Sequence, residues 1–238
     1  MRRLAHTDAA NYTSDTDLRR RGAGRDHVHP MKLGDYLSPL PLVAVLRGIT
    51  PEEIPAIADA LYGEGFRILE VPLNSPRPFE SIRLLAERFG DRCLVGAGTV
   101  IDPADVARVR DARGDLIVMP HADTAVIREA RRHGMVCLPG VATPTEAFAA
   151  LAAGADALKL FPAEAMVPAV LRAWRAVLPR TTRVFAVGGI RPDNMAPWWT
   201  EGAAGFGTGS NLYKPGADPA HVRVGAAAYA SAFRALRR

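Results

Sequence analysis

From residue 41 onward the chain alternates between short apolar runs and amphipathic stretches. The runs are Leu42–Leu46, Phe66–Val71, Cys93–Gly96, Leu116–Met119, Met135–Leu138, Ala157–Leu160, Val184–Val187 and Ala204–Gly207. They recur at intervals of roughly 20–30 residues, and near-continuous apolar runs of this length are the pattern of parallel strands buried on both faces. The stretches between them carry helix punctuation. Thr50 precedes Pro51-Glu52-Glu53, a capping residue followed by Pro and two acids in a first turn. Asp102-Pro103, Thr143-Pro144 and Arg191-Pro192 repeat the device, and Asp123 or Thr124 can cap a helix ahead of Met135. Gly63, Gly65, Gly90, Gly114, Gly134 and Gly154 fall near the expected helix ends, where a left-handed residue is needed.

Strand then helix, eight times over, predicts a single (β/α)₈ TIM barrel across residues 34–238. A doubly wound open sheet is the alternative. A dinucleotide-binding sheet of that kind places Gly-x-Gly-x-x-Gly after its first strand, and Leu46-Arg47-Gly48-Ile49 does not supply it. Residues 1–33 are polar and without period, so they read as a disordered basic tail, and Met31 offers a second possible start.

Composition narrows the function classes. Of 238 residues, 48% are hydrophobic and 23% charged, an ordinary globular profile. No apolar run approaches the ~20 residues of a membrane span, and the N-terminus lacks a secretory apolar segment, so a cytoplasmic protein with no membrane partner is expected. The net charge is +5, but the excess is terminal. Residues 1–33 hold seven Lys and Arg against four Asp, and Arg234, Arg237 and Arg238 close the chain. The body between is close to neutral, so no nucleic-acid partner is expected. Cys93 and Cys137 sit inside apolar runs and read as buried thiols. The His, Cys and carboxylate residues form no local ligand cluster, so no metal is expected.

The chain has three lysines, and one of them, Lys159, stands inside a strand run between Leu158 and Leu160. Burial there disfavours the ammonium and leaves free amine for attack on a carbonyl. The other reading is a lysine that snorkels to the barrel mouth or pairs with a carboxylate. Glu70 likewise interrupts an apolar run, as a proton shuttle or as the ion-pair partner of Arg47 or Lys159. Arg47 ends the first strand, where it can hold a carboxylate in a bidentate grip or form a surface ion pair. Thr99 ends the third strand and offers a hydroxyl or a helix cap; His121, in the loop after the fourth, is assigned no chemistry. Strands seven and eight end in Gly188-Gly189 and Gly209-Ser210, either tight turns or the phosphate-binding loops that barrels build there.

Six motifs together carry a resemblance. They are Val-Leu-Arg-Gly-Ile-Thr-Pro-Glu-Glu (45–53), Glu-Val-Pro-Leu-Asn-Ser-Pro (70–76), Val-Gly-Ala-Gly-Thr-Val (95–100), Leu-Lys-Leu-Phe-Pro-Ala-Glu (158–164), Phe-Ala-Val-Gly-Gly-Ile (185–190) and Gly-Thr-Gly-Ser-Asn-Leu-Tyr (207–213). From about residue 38 to 215 the chain resembles the class I aldolases for 2-keto-3-deoxy-6-phosphogluconate and -phosphogalactonate. The resemblance implies a homotrimeric barrel without metal or cofactor. Its substrate would be a phosphorylated 2-keto-3-deoxy sugar acid and its products pyruvate and glyceraldehyde 3-phosphate. It makes Lys159 the Schiff-base former and Glu70 the proton relay. Arg47 and Thr99 hold the carboxylate, Phe161 lies beside the pyruvate unit, and Gly188, Gly189, Gly209 and Ser210 hold the phosphate. Val187 and Pro-Leu-Asn-Ser resemble the phosphogalactonate branch, where the gluconate enzymes often carry Thr before Gly-Gly. The phosphogluconate substrate is the alternative. A barrel phosphosugar isomerase or epimerase with an electrostatic Lys159, and a non-catalytic protein binding through its basic ends, are more distant readings.

Overall fold

In a parallel strand covered on both faces, successive side chains still point to opposite sides, and here the two sides bury different cores. The computed structural model describes residues 32–237. Its strands are β1 (Leu42–Val45), β2 (Ile68–Pro72), β3 (Leu94–Gly98), β4 (Leu116–Val118), β5 (Val136–Leu138), β6 (Gly140–Val141), β7 (Leu158–Leu160), β8 (Val184–Val187) and β9 (Gly205–Thr208). All neighbouring pairs are parallel, in the order β5-β4-β3-β2-β1-β9-β8-β7-β6. The two ends of that order, β5 and β6, are halves of one stave interrupted at Pro139, so the sheet closes as an eight-stave barrel. Both sides of this stave are paired: Met119 N donates to Leu138 O and Lys159 N to Pro139 O, at 3.2 and 2.9 Å.

The helices are α1 (Ile54–Gly63), α2 (Pro78–Phe89), α3 (Pro103–Asp111), α4 (Thr124–Arg132), α5 (Pro144–Ala153), α6 (Ala169–Arg175), α7 (Met195–Thr200) and α8 (Pro219–Leu236). Leu42, Ala44, Leu69, Val71, Leu158 and Leu160 point outward into the layer between strands and helices. Val43, Ile68, Leu94, Leu116, Val136 and Phe185 point inward and fill the barrel. A 3-10 helix, Leu33–Tyr36, completes the inner core, with Leu33 and Tyr36 both buried. The Tyr36 hydroxyl donates to Asp91 O at 3.0 Å, just ahead of β3, so this helix corks the barrel at its N-terminal end. Leu33 thus belongs to the fold, one residue before the boundary expected at 34; residues 1–31 of the expected tail, Met31 included, lie outside the described residues.

The helix starts follow their caps with two exceptions. Asp102 and Asp123 accept from Ala104 N and Ala125 N, and Thr143 forms a full capping box with Glu146. Thr50 instead opens a turn, and α1 begins at Ile54. Arg191 has no acceptor to offer, so Asn194 does the work, taking the Arg191 N–H at 2.8 Å over a 3-10 turn, Pro192–Asn194. At the end of α3 it is Arg113, not Gly114, that turns left-handed, with φ of 65°. Cys93 and Cys137 are free and buried, as expected. Among the described residues no helix is long and apolar enough to cross a membrane.

Candidate active site

The inward alternation brings Val45, Glu70, Lys159, Val187 and Gly207 together inside the barrel. Together with Val43, Val118, Leu138 and Phe185 they line a narrow, mostly apolar cavity. Lys159 is 8% and Glu70 2% exposed, both far below what charged side chains ordinarily show. No ion pair within 4 Å joins Glu70 to Lys159 or Arg47 among the described residues, so the pairing expected as one alternative is not formed. Glu70 Oε2 is buried without a hydrogen-bond partner.

Two ionisable groups kept apart in an apolar cavity both shift toward neutrality. Burial pushes the Glu70 carboxyl up to about 7, against the pull of Lys159 and Arg47. Burial lowers the Lys159 amine from its ordinary value; Glu70 opposes the fall and Arg47 adds to it. Burial thus moves the two groups toward a free amine and a proton-bearing carboxyl, the forms that imine formation at a ketone uses. The Lys159 Nζ lies 4.3 Å from the centre of the Phe161 ring, so Phe161 walls the mouth side of the amine.

At the mouth, Arg47 follows β1 and is exposed. Its two terminal nitrogens donate to Asn74 Oδ1 at 2.7 Å and Thr99 Oγ1 at 3.3 Å. Thr99 holds φ at 55°, a left-handed strain for a β-branched residue, and it caps no helix. These contacts fix the guanidinium beside the cavity, with no carboxylate partner among the described residues. Asn74 is the member of this group that pattern reading did not single out, although it lies in the Pro-Leu-Asn-Ser segment.

Glu53 ties two mouth loops together. Its Oε1 accepts from Tyr213 Oη and Gly216 N at 2.9 and 2.8 Å, and its Oε2 from Thr50 N and Thr50 Oγ1 at 2.9 and 3.0 Å. Burial raises this carboxyl, yet the hydrogen bonds together hold it below its ordinary value. Nothing in the sequence pattern distinguishes Glu53 from a first-turn acid.

Gly188 and Gly189 both take positive φ, 105° and 64°, so this turn needs glycine. Asn194 donates to Gly189 O at 2.9 Å, while Asn211 and the buried Tyr229 hydroxyl both donate to Ile190 O, at 3.2 and 2.7 Å. Asn211 thereby joins the turn after β8 to the loop after β9, where Gly209 O accepts from Leu212 N and Tyr213 N and Ser210 is exposed. A cleft of about 360 Å³ opens beside Gly188-Gly189, lined also by Glu164, Arg191, Asn194 and Trp198. His121 is exposed and joins none of these groups. Among the described residues no three His, Cys, Asp or Glu side chains gather as a metal site.

The family described as KDPG and KHG aldolase matches residues 34–221. The 2-dehydro-3-deoxy-6-phosphogalactonate aldolase of Escherichia coli K12 is 47% identical over 82% of this chain and 95% of its own. The 2-dehydro-3-deoxy-phosphogluconate aldolase of Zymomonas mobilis is 32% identical over 83% of this chain and 93% of its own. A solved structure described as native KDPGal superposes with a TM-score of 0.83 at 45% identity, covering 87% of this chain and 99% of that one. The chain belongs to the KDPG and KHG aldolase family.

Proposed function

We propose that the chain is a class I aldolase that cleaves 2-dehydro-3-deoxy-6-phosphogalactonate to pyruvate and D-glyceraldehyde 3-phosphate. The observation that carries the chemistry is the buried Lys159 amine facing an unpaired Glu70 carboxyl across one cavity. Greater identity to the phosphogalactonate relative than to the phosphogluconate one supports the substrate. Arg47 and Thr99 hold the substrate carboxylate, and the Gly188-Gly189 and Gly209-Ser210 loops hold the phosphate. The Lys159 amine adds to the C2 carbonyl, Glu70 protonates the departing hydroxyl, and water leaves to give an iminium. Glu70, now a carboxylate, takes the proton of the C4 hydroxyl. The C3–C4 bond breaks, its electrons pass to the iminium, and the aldehyde departs from an enamine. Protonation at C3 and hydrolysis release pyruvate and restore the amine. Parallel assays on the phosphogalactonate and phosphogluconate substrates test the reading. Faster pyruvate release from the former is expected; release from neither would overturn the aldolase.

Val187 sets the preference between the C4 epimers. It lines the cavity directly before Gly188 and offers no hydroxyl to the substrate. Val187→Thr should shift the ratio of kcat/KM values toward phosphogluconate by roughly 3- to 10-fold, the worth of one net hydrogen bond. An unchanged ratio would remove Val187 from the specificity argument.

We also infer a homotrimer, on the family resemblance. Ile101, Phe148 and Val167 leave large apolar surface exposed, which an assembly would cover. Light scattering should return three times the chain mass, and a monomer at working concentration would overturn it. A reducing cytoplasm fits the two buried free thiols.

A further inference from the structure

Glu70 is held without a hydrogen bond to Oε2, in a cavity whose other walls are mostly apolar. Something other than polar contacts must therefore fix where its carboxylate points. The answer lies on the neighbouring strand. β3 pairs with β2 so that Glu70 stands opposite Gly96, and Gly98 sits one inward position higher, opposite Pro72. A Cβ on Gly98 would fall well inside van der Waals distance of Glu70 Oε2, Cδ and Oε1, so the carboxylate occupies the space a side chain at 98 would fill.

We infer that Gly98 is a positioning residue, whose missing side chain seats the Glu70 carboxylate toward the mouth of the barrel. This rests on the proposed role of Glu70 as proton relay. Backbone geometry does not explain the glycine. Gly98 is absent from the positive-φ positions, it lies in a regular strand, and its carbonyl accepts from Leu73 N at 2.8 Å. Alanine is acceptable to that backbone. The neighbouring Gly96 differs, because a Cβ there would meet the backbone of Leu116, so its absent side chain serves strand packing. At 98 the three nearest atoms all belong to the Glu70 carboxyl, and Glu70 relieves that conflict by rotating away from its present seat.

The test is a double-mutant cycle on the full chain with Gly98→Ala and Glu70→Asp. Gly98→Ala should lower kcat by about 10²-fold, the lower end of what a misplaced general acid–base costs, with a much smaller change in KM. Borohydride trapping of pyruvate on Lys159 should slow in parallel, since dehydration to the imine uses the same carboxyl. Glu70→Asp alone retracts the carboxylate and is also slow. In the Gly98→Ala background it frees the space of one methylene and should recover roughly 10-fold, a non-additivity reserved for groups in contact. Wild-type rates in Gly98→Ala, or losses that simply multiply, would overturn the inference. A wild-type protein that traps no pyruvate would overturn the Glu70 role itself, and the seat with it. Where Gly98→Ala is too unstable to assay, the same cycle is read in melting temperature. Glu70→Asp should recover what Gly98→Ala loses, and additive losses overturn the seat.

Discussion

Lys159→Ala should lose at least roughly 10⁴-fold in kcat, which is about 5.5 kcal/mol of barrel chemistry, and should yield no borohydride-stable pyruvate adduct. The loss is large because among the described residues no other lysine lines the cavity: Lys32 lies before the barrel plug and Lys214 in the loop after β9. Lys159→Arg should be equally inactive, since a guanidinium remains protonated and does not form the imine. That comparison separates a nucleophile from an electrostatic lysine. Lys159→Ala should remain folded, because it removes an amine whose burial among apolar walls is itself costly. Mass spectrometry of the reduced complex checks the site. A pyruvate adduct that survives in Lys159→Ala would sink the assignment.

Glu70→Gln should lower kcat by roughly 10²- to 10⁴-fold and change how stability depends on pH. The folded protein keeps the Glu70 proton up to about pH 7, whereas the unfolded chain gives it up near the ordinary 4.5. Below about pH 4.5 both states are protonated and ionisation of Glu70 adds no cost. As pH rises through this window, ionisation favours the unfolded chain, and above about 7 the cost is constant. Glutamine cannot ionise, so the variant's stability relative to wild type should improve by on the order of 3 kcal/mol between pH 4 and pH 8. Any fixed cost of the buried amide cancels in that comparison. Denaturant titrations of both proteins across the range are decisive, and a difference independent of pH would mean that Glu70 titrates in the fold as it does in water.

Much of this was legible beforehand, and the boundaries show why some was not. The apolar runs located every stave of the barrel. Yet β2 runs on to Pro72, β3 to Gly98, and the fifth stave resumes at Gly140-Val141. These overruns lie at the mouth, where inward positions border a site and not a core, so small residues and prolines replace the apolar signal. Lys159 and Glu70 stood out because a charge inside an apolar run is costly and needs a reason. Asn74, Glu53 and the seat at Gly98 did not, since each acts through a partner on another strand or loop, and spacing along the chain carries no trace of it. The Leu33–Tyr36 plug escaped as well, because four residues are too few to display a period.

That plug also bears on the order of events during turnover. With the N-terminal end of the barrel corked by Leu33 and Tyr36, the described residues leave the cavity open at the mouth, framed by Arg47 and the glycine turns. In the proposed mechanism, with the imine on Lys159, cleavage leaves the three-carbon aldehyde nearer that mouth and the imine-bound fragment behind it. On that mechanism traffic through the mouth is sequential: the phosphorylated aldehyde exits first, water follows it inward, and pyruvate leaves last. Free pyruvate, as the last product out, meets the same empty enzyme as the substrate does, and the two compete for it.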